Sequence, residues 1–255
     1  MKIAKILGTA ALVSTLGVQA YAAPGAKDVL TTYADIAHAG YEDSLITAKE
    51  LQAAIDALVA QPSAETFGAA KSAWLAARAP YQQTEVYRFG NAIVDDWEGK
   101  VNAWPLDEGL IDYVETGLYG EESEENPAYT ANVVANPTLV ISGETIDAST
   151  IDAALLESLH EIDDVESNVA TGYHAIEFLL WGQDLNGTGA GAGAREWTDY
   201  AAGDACTNGN CDRRGAYLKA AGDLLVSDLE WITAQWAEGG EARETVLEGD
   251  GVPGL

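Results

Sequence analysis

The stretch TGYHAIEFLLWGQDLNG, residues 171–187, sets an ionisable pair inside an apolar run. His174 and Glu177 stand three residues apart among Ile176, Phe178, Leu179, Leu180 and Trp181. Residues at that spacing share one face of a helix, so the two side chains point the same way. Either they satisfy each other, as buried ionisable groups normally do, or something else binds them. The stretch reads as a buried helix running out into a glycine-rich loop, and the same helical period recurs along most of the chain.

Working outward, residues 28–60 carry apolar positions at intervals of three and four, with few β-branched runs. Residues 63–79 repeat the pattern behind Pro62, with Ser63 placed as an N-cap. Pro80 should kink or break that helix before 81–89 continue it. A shorter helix is expected over 106–118, introduced by Trp104-Pro105, then helices over 151–159 and 165–181, and a long amphipathic one over 213–236. Between them 121–150, with Pro127, Pro137 and Gly143, reads as a long loop holding a short extended piece at 138–142. The sum is an all-α helical bundle. Residues 239–255 are polar and read as a frayed tail or a linker toward a further domain.

The N-terminus points to export. Lys2 and Lys5 precede an apolar run at 6–18 and the small-x-small site Ala20-Tyr21-Ala22. That is the pattern of a secretory leader over residues 1–22, and its run is short of the ~18–20 residues a spanning helix needs. One helical domain over 23–238 remains, with no membrane span. The formal net charge is −28, and losing the leader removes two lysines more. Such a chain repels nucleic acid and anionic lipid and stays soluble in salt. Apolar residues make up 47% of it, enough for a core. Cys206 and Cys211, the only cysteines, flank Thr207-Asn208-Gly209-Asn210 and read as a local disulfide outside the cytoplasm. A zinc site there would need two further soft ligands.

Two segments supply acids that could join His174 and Glu177. Arg78, Tyr81, Glu85 and Arg88 form a polar stripe at helical spacing, and Glu108, Asp112 and Glu115 form another. No Lys or Arg occurs from Val101 to Thr150. Like charges so placed repel, more strongly if buried, unless a cation or a partner such as Arg78 offsets them. Gly172 opens the face that carries His174 to a close neighbour. His38 reads as a packed or surface residue, and His160, beside Glu157, Glu161, Asp163 and Asp164, as a solvated one. H-E-x-x-H and G-x-S-x-G are absent. The glycine run at 186–194 follows a helix and lacks the spacing of a phosphate loop.

These segments resemble the imelysin family, in its iron-regulated protein A-like branch of bacterial envelope proteins. The resemblance is carried by Trp74-Leu75-Ala76-Ala77-Arg78-Ala79-Pro80-Tyr81 with Gln83-Thr84-Glu85, and by Asn102-Ala103-Trp104-Pro105-Leu106-Asp107-Glu108 with Ile111-Asp112-Tyr113. It continues through Gly172-Tyr173-His174-Ala175-Ile176-Glu177, Gly182-Gln183-Asp184-Leu185-Asn186 and residues 206–218. The family's G-x-H-x-x-E signature falls on Gly172, His174 and Glu177. The resemblance implies an all-α fold of two bundle halves around a site near that motif, and a link to iron uptake; an older classification lists the family as peptidases. This chain ends soon after the helix over 213–236, so it corresponds to the first of two halves or to a shortened member.

The expectation is therefore a periplasmic or outer-membrane-associated protein that binds a metal ion, iron with zinc as the alternative. His174 and Glu177 would be ligands, with Glu85 and Glu108 completing the shell and Gly172, Asp112 and Arg78 lining it. Imidazole with carboxylates suits iron, zinc or manganese. A further partner would be another envelope protein of iron uptake. Two rivals stay open: a metallopeptidase with Glu177 as general base, and a non-metal interaction module in which His174 and Glu177 are a core pair.

Overall fold

A computed structural model describes residues 24–248. The expected leader at 1–22 lies outside the described residues. Three helices build the frame: α1 (Ala26–Ala60), α2 (Ala64–Gln83) and α8 (Cys211–Trp236), with α1 packed against both others. The seam of α1 is Ala34, Ala37, Tyr41, Ser44, Ala48, Leu51, Ile55 and Leu58, which alternates steps of three and four. On α2 the same rhythm buries Phe67, Ala70, Trp74, Ala77 and Tyr81. Seams of this period let two antiparallel helices interlock along their length. Ser63 caps α2, its Oγ accepting from the Thr66 N–H at 3.1 Å.

Pro80 does not break α2, which runs on to Gln83. The carbonyl that loses its donor belongs to Ala76 on the exposed face, where water can serve it. The buried positions Ala77 and Tyr81, on either side of the proline, hold the helix to α1. The turn after α2 is a 3-10 segment, Glu85–Arg88, in place of a continuing helix. It leads into α3 (Ala92–Asn102), which buries Val94, Trp97, Glu98 and Val101.

The helix expected over 106–118 is two single turns, α4 (Glu108–Ile111) and α5 (Thr116–Tyr119). The carbonyls of Gly109, Leu110 and Ile111 accept from the N–H groups of Asn132, Val133 and Val134 at 2.9, 2.9 and 3.0 Å. With those acceptors taken by another segment the helix has nothing to propagate on. The extended piece is a hairpin of β1 (Thr138–Ile141) and β2 (Glu144–Asp147), paired antiparallel. Arg213 ties this excursion to α8. It donates to the carbonyls of Val133, Val134 and Ala148 at 2.8 Å each and to that of Ser149 at 3.1 Å.

After α6 (Ala153–Leu159) the chain makes only a 3-10 turn at Ile162–Asp164 before α7 (Gly172–Trp181), which starts seven residues later than expected. Asn168 explains the delay: its side chain donates to the Ile162 carbonyl at 2.9 Å while its own carbonyl accepts from Glu161 N–H. His160 is not solvated. Its Nε2 lies 3.1 Å from the Gly99 carbonyl, Nδ1 lies 3.3 Å from Thr171 Oγ1, and burial holds the imidazole below its usual range. The segment expected to be a tail forms α9 (Glu241–Glu248), with Ala242 and Val246 buried. Cys206 and Cys211 are bonded to each other. Among the described residues no helix is long and apolar enough to cross a membrane.

Candidate functional site

The start of α7 is clamped to the end of α3. Gly172 has φ +80°, and a Cβ there would stand 2.5 Å from the Val101 carbonyl oxygen and 2.9 Å from that of Lys100. Thr171 Oγ1 donates to the Lys100 carbonyl at 2.8 Å. The glycine of the G-x-H-x-x-E motif is thus there for close backbone approach. It fixes the origin of the helical turn that carries His174.

His174 Nδ1 and Glu177 Oε2 are 2.9 Å apart, with side chains 18% and 40% exposed. Both line a cleft of about 420 Å³ whose other walls include Trp74, Trp104, Trp181, Glu108 and Asp184. The Trp104 ring centre lies 4.9 Å from that of His174, although Trp104 is 70% exposed. Trp74 and Trp181 meet edge to face at 5.2 Å, and Trp74 Nε1 donates to the Tyr173 carbonyl at 2.9 Å. Those contacts fix one wall.

Glu108 opens α4 and also lines the cleft. Burial raises its carboxyl, Arg195 opposes the rise, and Asp184 and Glu177 add to it, for a pKa of about 7. One imidazole and three carboxylates therefore share the cleft, and one of the acids titrates near neutrality.

Three expected site residues are placed elsewhere. Glu85 lines a separate depression with Arg88, Phe89 and Asp95, because the chain turns away after Gln83. Arg78 braces α2 against α3, donating from Nη1 to Asn102 Oδ1 at 2.6 Å, with its guanidinium 4.9 Å from the Tyr173 ring centre. Asp112 is buried in an ion cluster. It accepts from Arg195 Nη1 at 2.7 Å and from Arg214 Nε and Nη2 at 2.6 and 3.1 Å. Burial alone would push Asp112 up, but the Arg214 hydrogen bonds and the two guanidinium charges outweigh it and hold the carboxyl below its usual range. Among the described residues no three His, Cys, Asp or Glu side chains stand close enough together to hold a metal ion.

Sequence reasoning missed the tryptophan walls, Asp184 and the cations behind the site. A signal for Arg195 existed: it is the one Lys or Arg between Lys100 and Arg213, in a strongly acidic chain. Such a residue is bound to serve an acid, here Asp112 and Asp199, the latter at 3.2 Å.

Comparison with known proteins agrees with this architecture. A segment of 60 residues is 35% identical to iron-regulated protein A of Synechococcus elongatus, covering 24% of this chain and 17% of that protein. A crystal structure described as an iron-regulated protein A precursor from Parabacteroides distasonis superposes with a TM-score of 0.51 at 20% identity. The match covers 83% of this chain and 45% of that one, and at this identity it speaks for the fold alone. This chain thus spans less than half the length of either relative. The family model for imelysin, peptidase M75, matches residues 37–252, and the chain belongs to the imelysin family.

Proposed function

We propose that this is an iron-related imelysin protein of the bacterial cell envelope, and that its cleft binds a metal ion through His174 and Glu177. The observation that carries the reading is the gathering of one imidazole and three carboxylates, from α7, α4 and the loop after α7, in a single cleft. An imidazole nitrogen with carboxylate oxygens is a donor set for iron, zinc or manganese. Glu108 is the carboxylate best suited to join the α7 pair, since a cation would favour the charged form that burial, and to a lesser extent Asp184 and Glu177, disfavours. His174 and Glu177 would hold the ion, and since no third donor stands within ligand distance of them among the described residues, Glu108 or Asp184 would have to approach to complete the set. The relatives are named as iron-regulated proteins, which makes iron the first metal to test. The leader pattern at 1–22 and the Cys206–Cys211 disulfide support export to the periplasm or its outer-membrane face, where another iron-uptake protein would be the partner.

Calorimetric titration of the purified protein with Fe(II), Zn(II) and Mn(II), against a His174→Ala, Glu177→Ala double variant, tests this. Binding no tighter in the wild type than in the double variant would overturn it. A second reading is favoured by one observation, that His174 and Glu177 already satisfy each other. On it the cleft, with Trp104 and Leu75 exposed at its mouth, is an interaction surface for a partner protein. Both substitutions would then lower the melting temperature while metal changed nothing.

A further inference from the structure

Arg195 is 6% exposed, yet only one end of its guanidinium is used. Nη1 donates to Asp112 and Asp199, and the group lies 4.8 Å from the Tyr113 ring centre and 5.5 Å from that of Phe178. Nε and Nη2 have no hydrogen-bond partner among the described residues. Buried donors on a charged group are costly to leave unmade, so a cationic edge in this state calls for an acceptor.

The local geometry says where that acceptor would sit. A Cβ added to Gly182 would stand 3.4 Å from Arg195 Nε and 3.8 Å from Nη2, so the free edge looks onto the bare α-carbon of Gly182. Both residues line a second cleft, of about 400 Å³, on the other side of Trp181 and Gly182 from His174. Its walls are mostly apolar, with Val114, Trp181 and Leu185 prominent. Gln183 Oε1 accepts from Glu115 N–H at 2.6 Å, which leaves the Gln183 NH2 group as a further donor on the same wall. Three carboxylates around this cleft are committed, while Glu108, which also feels the Arg195 charge, lines the neighbouring cleft and makes no hydrogen bond to the guanidinium. Asp112 and Asp199 are matched by Arg195 and Arg214, and both oxygens of Glu115 accept from the N–H groups of Gly117 and Leu118.

Parallel donors on Nε and Nη2 match the two oxygens of a carboxylate, and the apolar walls suit a hydrocarbon body. We infer that the cleft beside Gly182 is a subsite for a small organic carboxylate, held by the free edge of Arg195 and by Gln183. Nε and Nη2 are covered, so entry displaces part of the segment from Gly182 to Ala194, where Gly187 stands at φ +61° with nothing within 4 Å of an added Cβ. The inference is independent of metal binding at His174.

The test uses full-length protein in buffer stripped of metal by a chelating resin, titrated with benzoate, benzamide and inorganic phosphate. Binding is followed by tryptophan fluorescence and by the Arg195 Nε–H resonance in nitrogen-15 NMR. Benzoate should saturate and move that resonance, while benzamide and phosphate do neither. Gly182→Ala, which fills the space in front of the guanidinium edge, should weaken benzoate about tenfold or more, and Gln183→Ala about fivefold. If Gly182→Ala does not fold, Gln183→Ala decides. No saturable benzoate binding, an unmoved Arg195 resonance, equal affinity for benzamide or phosphate, or unchanged affinity in Gln183→Ala would each overturn the assignment. Metal titration of the same sample separates this outcome from that of the His174 cleft.

Discussion

Replacing Gly172 by alanine adds one methyl group at the junction of α7 and α3, and the structure says what it meets. The new Cβ would stand 2.5 Å from the Val101 carbonyl oxygen, 2.6 Å from its carbon and 2.9 Å from the Lys100 oxygen. All three are backbone atoms, so no rotamer change relieves the overlap. The backbone at φ +80° is also in the region that costs a residue with a side chain about 1–2 kcal/mol. Pushing two packed helix ends apart adds about 1–3 kcal/mol. The expected loss is about 2–5 kcal/mol, a large share of the ~5–15 kcal/mol that holds a domain together. Thermal unfolding followed by circular dichroism should report a midpoint lowered by about 5–20 °C. Gly68 provides the control, being exposed within α2 with nothing within 4 Å of an added Cβ. Gly68→Ala should be neutral or stabilise by about 0.5–1 kcal/mol. A Gly172→Ala protein melting within about 2 °C of wild type would show that the clamp between α3 and α7 is not as tight as drawn.

Other substitutions probe the electrostatics. Asp112→Asn removes the charge that faces both Arg195 and Arg214 and should cost about 3–5 kcal/mol in urea unfolding. Because the Asp112 carboxyl is held below its usual range in the fold, its contribution is complete above the unfolded value near pH 4 and is lost as pH falls through the lower folded value. Glu108 works the other way. Its pKa is raised to about 7, so its contribution is complete below the ordinary value of 4.5 and lost as pH rises through 7. Glu108→Gln should therefore stabilise the metal-free protein at pH 8 by about 1 kcal/mol, given solvent screening at the cleft, and change little at pH 4. Reducing Cys206–Cys211 opens a short loop and should cost about 2 kcal/mol, read as a lower melting temperature in dithiothreitol.

The frame was legible because its signal is periodic. Ala34 to Leu58 and Phe67 to Tyr81 repeat at three and four without interruption, and local spacing is all a packed helix pair requires. α3 carries no clear apolar period, because one of its buried positions is the charged Glu98, which pairs with Arg88 at 3.2 Å. The division of 106–118 depends on N–H groups from Asn132 to Val134, and no local pattern announces acceptors taken by a distant segment. The candidate site divides in the same way. His174 and Glu177 sit on one helix and could be read from spacing. Asp112 reads as a site acid from local spacing, since the two guanidinium groups that claim it lie 83 and 102 residues further along the chain. Glu85 was lost to a turn of the backbone after Gln83.

The first turn of α8 joins structures that have little else in common. Cys211 anchors the disulfide loop, Arg213 gathers the carbonyls of the excursion that holds the hairpin, and Arg214 neutralises Asp112 beneath the clefts. Fraying of that one turn would release all three together, so their amides should exchange with solvent as a single cooperative unit. The rest of α8, buried from Tyr217 to Trp236 against α1, would stay protected meanwhile. Local opening of this protein would then begin at one helix terminus and spread outward to the hairpin and the clefts, leaving the α1–α2–α8 frame closed.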